Sequence, residues 1–73
     1  MKIQIEKLKV NPSYSSFYSL PIIFDLMDSM NSFGQNEPIL IDFNFNIIAG
    51  HEQVKVAKLL GWNYINAIRS RKR

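Results

Sequence analysis

The chain has to build its hydrophobic core from 73 residues without covalent or metal cross-links. It contains no cysteine, which excludes disulfides and thiolate metal sites, and its single histidine excludes a histidine-rich zinc site. A chain of this length forms one domain and buries only about 60% of the surface that its unfolded form exposes. We therefore expect a single, marginally stable domain that gains stability from a ligand or from assembly into a homodimer.

The hydropathy pattern excludes disorder and a membrane span. Hydrophobic residues make up 47% of the sequence, which is more than a disordered chain carries. No apolar run approaches the roughly 20 residues of a membrane helix, and the N-terminus lacks the apolar block of a secretion signal. The sequence predicts a soluble, cytoplasmic domain that does not bind a membrane.

The basic residues are concentrated at the C-terminus. The formal net charge is +3, but four of the nine basic residues are Arg69, Arg71, Lys72 and Arg73. The other five basic residues nearly balance the six acidic residues, so we predict a nearly neutral domain over 1–68 and a basic tail over 69–73. Such a tail is attracted to the phosphates of DNA, or is a solvated terminus that aids solubility. It has no aromatic residue with which to read bases.

Apolar spacing in the first half predicts a strand, a loop and a helix. Residues 2–10 alternate loosely, as in a half-buried strand, and residues 13–21 predict a loop. We expect the aromatic residues of this loop (Tyr14, Phe17 and Tyr18) to pack at the edge of the core, with ligand binding as the alternative. Residues 22–33 have helical spacing, with Pro21 in the first turn and Gly34 as the C-terminal stop. The apolar stripe of this helix consists of Ile23, Leu26, Met27, Met30 and Phe33.

The second half predicts a hairpin, a helix and a last strand. Two apolar strands, 38–43 and 47–49, flank a turn in which Asn44 and Asn46 can take left-handed conformations. The remaining elements are a helix over 51–60 that Gly61 caps and a strand over 62–68. The side chains expected to face the core from these two elements are Val54, Val56, Ala57, Leu59, Leu60, Trp62, Ile65 and Ile68. The fold class is therefore α+β, a mixed β-sheet with two main helices in the order β-α-β-β-α-β.

The strand-to-helix junction at 48–53 is where we expect chemistry. Gly50 permits close backbone approach, and the helix begins at once, so free amides and the positive end of its dipole point outward together. The His51 imidazole can donate to a phosphate, and Lys55 lies one turn further on the same side. The pattern predicts an anion site, with a turn that binds nothing as the alternative.

Carboxylates near this junction raise the question of a metal. Glu37, Asp42 and Glu52 are expected at the same end of the sheet as His51, where they could hold a hard divalent ion. Their spacing matches no ligand signature, and solvation at the surface explains each of them equally well. We predict no metal site and keep His51, Glu37 and Asp42 as candidate catalytic residues.

Residues 33–68 resemble the N-terminal, ParB-like nuclease domain of the ParB/sulfiredoxin superfamily. The matching sequence is FGQNEPILIDFNFNIIAGHEQVKVAKLLGWNYINAI. It is similar to the family's helix ending in Gly, Pro-Ile strand, turn, strand ending in Gly-His, helix ending in Leu-Gly, and final strand. Residues 8–12, with Tyr14 shortly after, are similar to the family's opening strand and Asn-Pro turn. The sequences at 36–38 and 49–51 look most like phage and DNA-methyltransferase-associated members.

The resemblance implies a module that binds a nucleoside triphosphate, CTP or ATP with Mg²⁺, in a DNA-associated role. Carried over by position, the site residues are Gly34, Asn36, Glu37 and Pro38 on one side and Ala49, Gly50, His51, Glu52, Gln53 and Lys55 on the other. Family members usually carry Arg where this chain has Gln53, and a polar or basic residue in place of Glu52. We expect these differences to weaken triphosphate binding by a few kcal/mol, which would make the site degenerate. The catalytic Cys of sulfiredoxin would fall at Gly50, which excludes that activity.

Two other functions stay open beside this binding module. One is an enzyme, a metal-assisted nuclease or phosphotransferase that uses His51 with Glu37 or Asp42, although the sequence supplies no placed general base. The other is a DNA-binding or self-associating protein with a vestigial nucleotide pocket. In that case the aromatic loop at 14–18 forms the self-association surface, and the tail at 69–73 contacts phosphate. We expect a binding module rather than an enzyme.

Overall fold

The computed structural model describes residues 1–10 and 20–70, apart from the side chain of Leu20. Its elements are β1 (Lys2–Gln4), a 3-10 helix (Ile5–Lys7), α1 (Leu20–Phe33), β2 (Ile39–Ile41), β3 (Ile47–Ala49), α2 (His51–Leu59) and β4 (Tyr64–Arg69). This order confirms the predicted α+β class. The aromatic loop residues Tyr14, Phe17 and Tyr18, and the tail residues Arg71, Lys72 and Arg73, lie outside the described residues.

Within the described ranges, four strands form one mixed sheet in the order β1-β4-β2-β3. The hairpin pairs β2 with β3 in antiparallel fashion, and the chain then crosses over through α2 to bring β4 parallel to β2. On its other side β4 pairs antiparallel with β1, where Ile3 lies opposite Ile65. This topology brings the end of β3 and the start of β2 together, beside the first turn of α2.

Both helices pack on one face of the sheet. The buried side chains that form this core are Ile3, Ile5, Leu8, Ile23, Met30, Ile39, Ile41, Ile47, Val54, Val56, Ala57, Ile65 and Ala67. Strand residues alternate between the two faces, so the positions between the buried ones point away from the helices. We call this second face, which Lys2, Gln4, Leu40, Tyr64, Asn66 and Ile68 occupy, the open face. Within the described part of the chain, no helix is long and apolar enough to cross a membrane.

The single strand predicted over residues 2–10 is wrong. Strand β1 ends at Gln4, and the chain turns into the 3-10 helix, in which the Leu8 amide donates to the Ile5 carbonyl at 3.1 Å. A continuous strand would place Ile5 and Leu8 on opposite faces, because they are three residues apart. The 3-10 turn puts both side chains on the same side, where both are buried.

The hairpin confirms the predicted turn but not its left-handed residues. Within the described residues, the one non-glycine residue with positive φ is Phe45, at 66°. The Asp42 carboxylate accepts hydrogen bonds from the amides of Asn44 and Asn46 and from the Asn46 side chain, at 2.8 to 2.9 Å. Both asparagines therefore bind the Asp42 carboxylate, and Phe45 is the residue of the turn that takes the left-handed conformation. The same bonds, with the Asn46 side chain contributing most, hold the pKa of Asp42 below its ordinary value.

Three side chains predicted for the core are exposed: Phe33, Leu59 and Ile68. Phe33 is the last residue of α1 and is 89% exposed. Ile65 and Ile68 cannot both face the core, because a spacing of three places their side chains on opposite faces of a strand; Ala67 takes the buried position. Leu59 lies outside the face of α2 that carries the buried side chains of Val54, Val56 and Ala57.

Candidate functional site

Gly50 joins β3 to α2 at a point where no side chain fits. Its φ is 95°, and a Cβ atom added to it would lie 2.6 Å from Cγ2 of Ile39, a buried side chain at the start of β2. The Val54 amide donates to the Gly50 carbonyl at 3.2 Å, which begins the hydrogen-bond pattern of α2. The glycine therefore fixes the first turn of α2 against the sheet.

This glycine also leaves the first turn of α2 without a side-chain cap. The first amides of a helix have no partner within the helix, and an N-cap Ser, Thr, Asp or Asn normally satisfies one of them. The positive end of the helix dipole at this turn favours an anion. His51, Glu52 and Gln53 are half-buried here. The structure thus places a glycine and the start of a helix where the sequence predicted them, and anion binding at this turn stays a prediction.

A groove of about 360 Å³ opens between α1 and the first turn of α2. Its lining residues are Ile22, Leu26, Ser29, Met30, Asn36, Glu37, Glu52 and Gln53. Four of them, Asn36, Glu37, Glu52 and Gln53, come from the two sides of the predicted site. The wall that α1 supplies was not predicted, although Ile22, Leu26 and Ser29 follow helical i, i+4, i+7 spacing.

The other predicted residues lie outside this lining set. Five of them lie within three positions of a lining residue in the sequence: Gly34, Pro38, Ala49, Gly50 and His51. Lys55 is exposed, one turn further along α2.

The predicted grouping of Asp42 with the other carboxylates is wrong. Asp42 follows the end of β2, whereas Glu37 precedes its start, so the two lie at opposite ends of the strand. His51 and Glu52 follow β3, which runs antiparallel to β2, and they therefore share the end of Glu37. Among residues 1–10 and 20–70, no three His, Asp or Glu side chains are grouped closely enough to hold a metal ion.

The polar groups of the groove favour particular ligand atoms. The charged residues in its lining, Glu37 and Glu52, are both acidic. The Oε1 atom of Gln53 is shielded from solvent and has no hydrogen-bond partner within the described part of the chain. A buried acceptor without a partner is costly, and a ligand that donates to it relieves that cost.

Gln35 positions the segment that carries Asn36 and Glu37. Its amide group pairs with the backbone of Asn66 in β4, accepting from the Asn66 amide at 2.7 Å and donating to its carbonyl at 2.9 Å. The same Nε2 donates to the Glu37 carbonyl at 2.8 Å. Sequence reasoning missed this residue, because the signal is a contact 31 positions away in the chain.

Arg69, predicted as the first residue of the basic tail, is the last residue of β4. Its guanidinium carbon lies 5.5 Å from the ring centroid of Phe43 and 5.3 Å from that of Phe45, within the range of cation–π contacts. The Ser70 amide continues the ladder by donating to the Ile41 carbonyl at 2.7 Å. The strand thus extends beyond the predicted end at Ile68, and Arg69 packs on the hairpin.

Comparison with known proteins gives a clear result for the fold. The sequence matches no family model, and no curated protein matches it significantly. Among solved structures, a pNOB8-like ParB N-domain superposes with a TM-score of 0.81 at 25% identity, over 94% of this chain and 27% of that one. Caulobacter crescentus ParB complexed with CTP-γ-S gives 0.85 at 21% identity, over 100% and 44%. Sulfiredoxin from Arabidopsis thaliana gives 0.85 at 17% identity, over 99% and 84%.

The chain therefore has the ParB/sulfiredoxin-like fold, as the sequence resemblance predicted. It spans 27% and 44% of the length of the two ParB chains. The Caulobacter protein has also been solved on its centromeric parS site, and that structure matches with a TM-score of 0.83 at 22% identity, over 96% of this chain and 40% of that one.

Proposed function

We propose that the chain is a ParB-like module that binds a nucleoside triphosphate of the CTP type at the first turn of α2 and in the adjacent groove. The observation that carries the proposal is the meeting of Asn36 and Glu37 with Glu52 and Gln53 beside the uncapped turn at Gly50. Further support comes from the ParB structure with CTP-γ-S, which superposes on the whole of this chain.

In this proposal the phosphates lie against the amides of residues 50–53. The His51 imidazole donates to a phosphate oxygen, and Lys55 approaches the same anion from one turn further on. The sugar or base enters the groove, where the buried Oε1 of Gln53 accepts a hydrogen bond from a ribose hydroxyl or a base amine. The amide of Asn36, which lines the same groove, supplies a second polar contact.

Glu37 and Glu52 determine whether the nucleotide binds alone or as its Mg²⁺ complex. Glu37 and Glu52 repel a bare triphosphate, and Gln53 stands where the family resemblance implies an Arg. Mg²⁺ is held in proteins by one or two carboxylates together with substrate phosphates, which matches the two carboxylates present. We therefore propose that the nucleotide binds as its Mg²⁺ complex and more weakly than in relatives with the Arg.

A thermal-shift panel tests this proposal. The ligands are CTP, ATP, GTP and their diphosphates, with and without Mg²⁺, at low salt. A ligand at 100 times its Kd adds about 2.7 kcal/mol to the free energy of unfolding, a large effect for so small a domain. We expect a nucleotide-selective, Mg²⁺-dependent shift that His51→Ala removes. The exposed Lys58, in the last turn of the same helix, supplies the matched control: Lys58→Ala retains the shift. A flat panel contradicts the proposal.

A DNA-associated role is the second part of the proposal. With Arg69 held on the hairpin, the phosphate contacts fall to the three basic residues at 71–73. Replacing those three by Gln should abolish binding to duplex DNA and leave nucleotide binding intact. Loss of nucleotide binding in that variant would contradict the separation of the two sites. DNA binding without any nucleotide binding would instead support the vestigial-pocket alternative.

A further inference from the structure

The far end of α2 carries two neighbouring grooves that the proposed nucleotide site does not use. The larger, of about 410 Å³, is lined by Gln4, Ile5, Glu6, Lys58, Trp62, Asn63 and Tyr64. The smaller, of about 220 Å³, is lined by Lys2, Gln35, Trp62, Tyr64, Ile65 and Asn66. Trp62 and Tyr64 line both grooves, and we call this pair with its two grooves the aromatic surface. At about 1.5 Å per residue, the length of α2 separates it from His51 by roughly 10 Å or more.

The two aromatic side chains are held in different ways. Trp62 is half-buried and packs against the core, and its amide donates to the Ala57 carbonyl at 2.9 Å, which fixes it at the end of α2. Tyr64 lies on the open face opposite Gln4 of β1 and is 47% exposed. The Lys2 ammonium is 5.8 Å from the Tyr64 ring centroid. The surface thus combines a half-buried indole with an accessible phenol ring beside a cation.

The polar residues around this pair suit a nucleic acid strand. The linings of the two grooves contain two basic residues, Lys2 and Lys58, and one acidic residue, Glu6. Glu6 lines only the larger groove, and the described lining of the smaller groove includes no carboxylate. The amides of Gln4, Asn63 and Asn66 supply donors and acceptors for base edges.

We propose that the aromatic surface binds single-stranded nucleic acid. Successive bases stack against Tyr64 and Trp62 in the two grooves, while Lys2 and Lys58 contact the backbone phosphates on either side. Stacking requires bases whose faces are accessible, which a duplex does not offer. Two grooves with a shared aromatic wall favour a strand over a single nucleotide, because a mononucleotide fills only one of them.

The test uses Trp62 itself, because it is the only tryptophan in the sequence. Its fluorescence is followed while a thymidine oligonucleotide of about 15 nucleotides is added at low salt. We expect quenching by the single strand and none by a duplex of the same length. Tyr64→Ala should weaken binding by about tenfold, whereas Tyr64→Phe, which keeps the ring, should bind like the parent chain. Lys2→Gln should reduce the dependence of the affinity on salt.

Three results would overturn the proposal. Absence of quenching by the single strand is the first. The second is equal affinity of Tyr64→Ala and Tyr64→Phe, which would show that the Tyr64 ring takes no part in binding. The third is quenching by thymidine monophosphate as strong as that by the oligonucleotide at equal nucleotide concentration. His51→Ala, which tests the nucleotide site, should leave the quenching unchanged, so the two proposals fail independently.

Discussion

A Cβ atom at Gly50 would lie 2.6 Å from Cγ2 and 2.9 Å from Cβ of Ile39. Ile39 is 1% exposed and begins β2, so it has no room to move away. The close approach holds the first turn of α2 directly against the buried start of the sheet. The same residue that leaves the helix amides uncapped is therefore required by the packing, and the geometry of the candidate site depends on this contact.

Gly50→Ala should destabilise the domain strongly. A residue with a side chain at a φ of 95° carries about 1–2 kcal/mol of strain, and overpacking of a core adds about 1–3 kcal/mol. We expect the free energy of unfolding in urea to fall by roughly 3 kcal/mol. Gly61→Ala is the matched control, because its φ is 80° but a Cβ there meets nothing within 4 Å. Equal losses in the two variants would show that the contact with Ile39 is unimportant.

Acid should destabilise the hairpin through Asp42. The hydrogen bonds from Asn46 and Asn44 hold the pKa of Asp42 below its ordinary value of 3.8. A carboxyl with a lower pKa in the folded state stabilises that state above its unfolded pKa, and this contribution is lost as the pH falls through the folded pKa. Asp42→Asn should therefore show a smaller decrease of the urea midpoint below about pH 4 than the parent chain does. Identical acid profiles for the two chains would contradict this assignment.

Arg69 should contribute to stability and not only to charge. Its guanidinium lies near the rings of both Phe43 and Phe45, and one such contact is worth about 0.5–2 kcal/mol. Arg69→Gln should lower the free energy of unfolding by about 1 kcal/mol, measured in urea at two salt concentrations. The control is the triple Gln variant at 71–73, which removes three positive charges and keeps Arg69. If Arg69→Gln and the control have the same small effect, Arg69 behaves as a solvated tail residue.

Gln53→Arg should strengthen nucleotide binding. An Arg at this position of the first turn of α2 can form charge-assisted hydrogen bonds to a phosphate, and a gain of 1.4 kcal/mol lowers the Kd tenfold. We expect calorimetric titration with Mg²⁺-CTP to give a Kd about tenfold lower than that of the parent chain. Lys58→Arg adds no net charge at the far end of the same helix and should leave the Kd unchanged. No gain from Gln53→Arg would mean that no phosphate lies beside this position.

The order of elements could be predicted because its signals are local. Gly34 and Gly61 end the two helices with φ of 80°, as their positions after apolar helical stripes predicted. The contacts that were not predicted join residues that are far apart in the sequence. Neither the stacking of Arg69 on the hairpin nor the pairing of Gln35 with Asn66 leaves a pattern in neighbouring residues.

In the candidate site, too, local signals were predicted and long-range contacts were not. Its turn at Gly50 was predicted from a strand, a glycine and a helix in succession. The opposite wall, which includes Leu26 and Ser29, depends on how α1 packs against α2, and periodicity does not specify this. Asp42 was misplaced because the sequence does not state which end of β2 each carboxylate occupies.

The most direct test of the central claim is a nitrogen–proton correlation spectrum of the labelled protein during titration with Mg²⁺-CTP. The amide signals of residues 36–37 and 50–53 should shift most, because these residues line the groove and the first turn of α2. Signals of Trp62 and Tyr64, at the far end of α2, should hardly move. Shifts centred on Trp62 and Tyr64, or no shifts at all, would contradict a nucleotide site at Gly50.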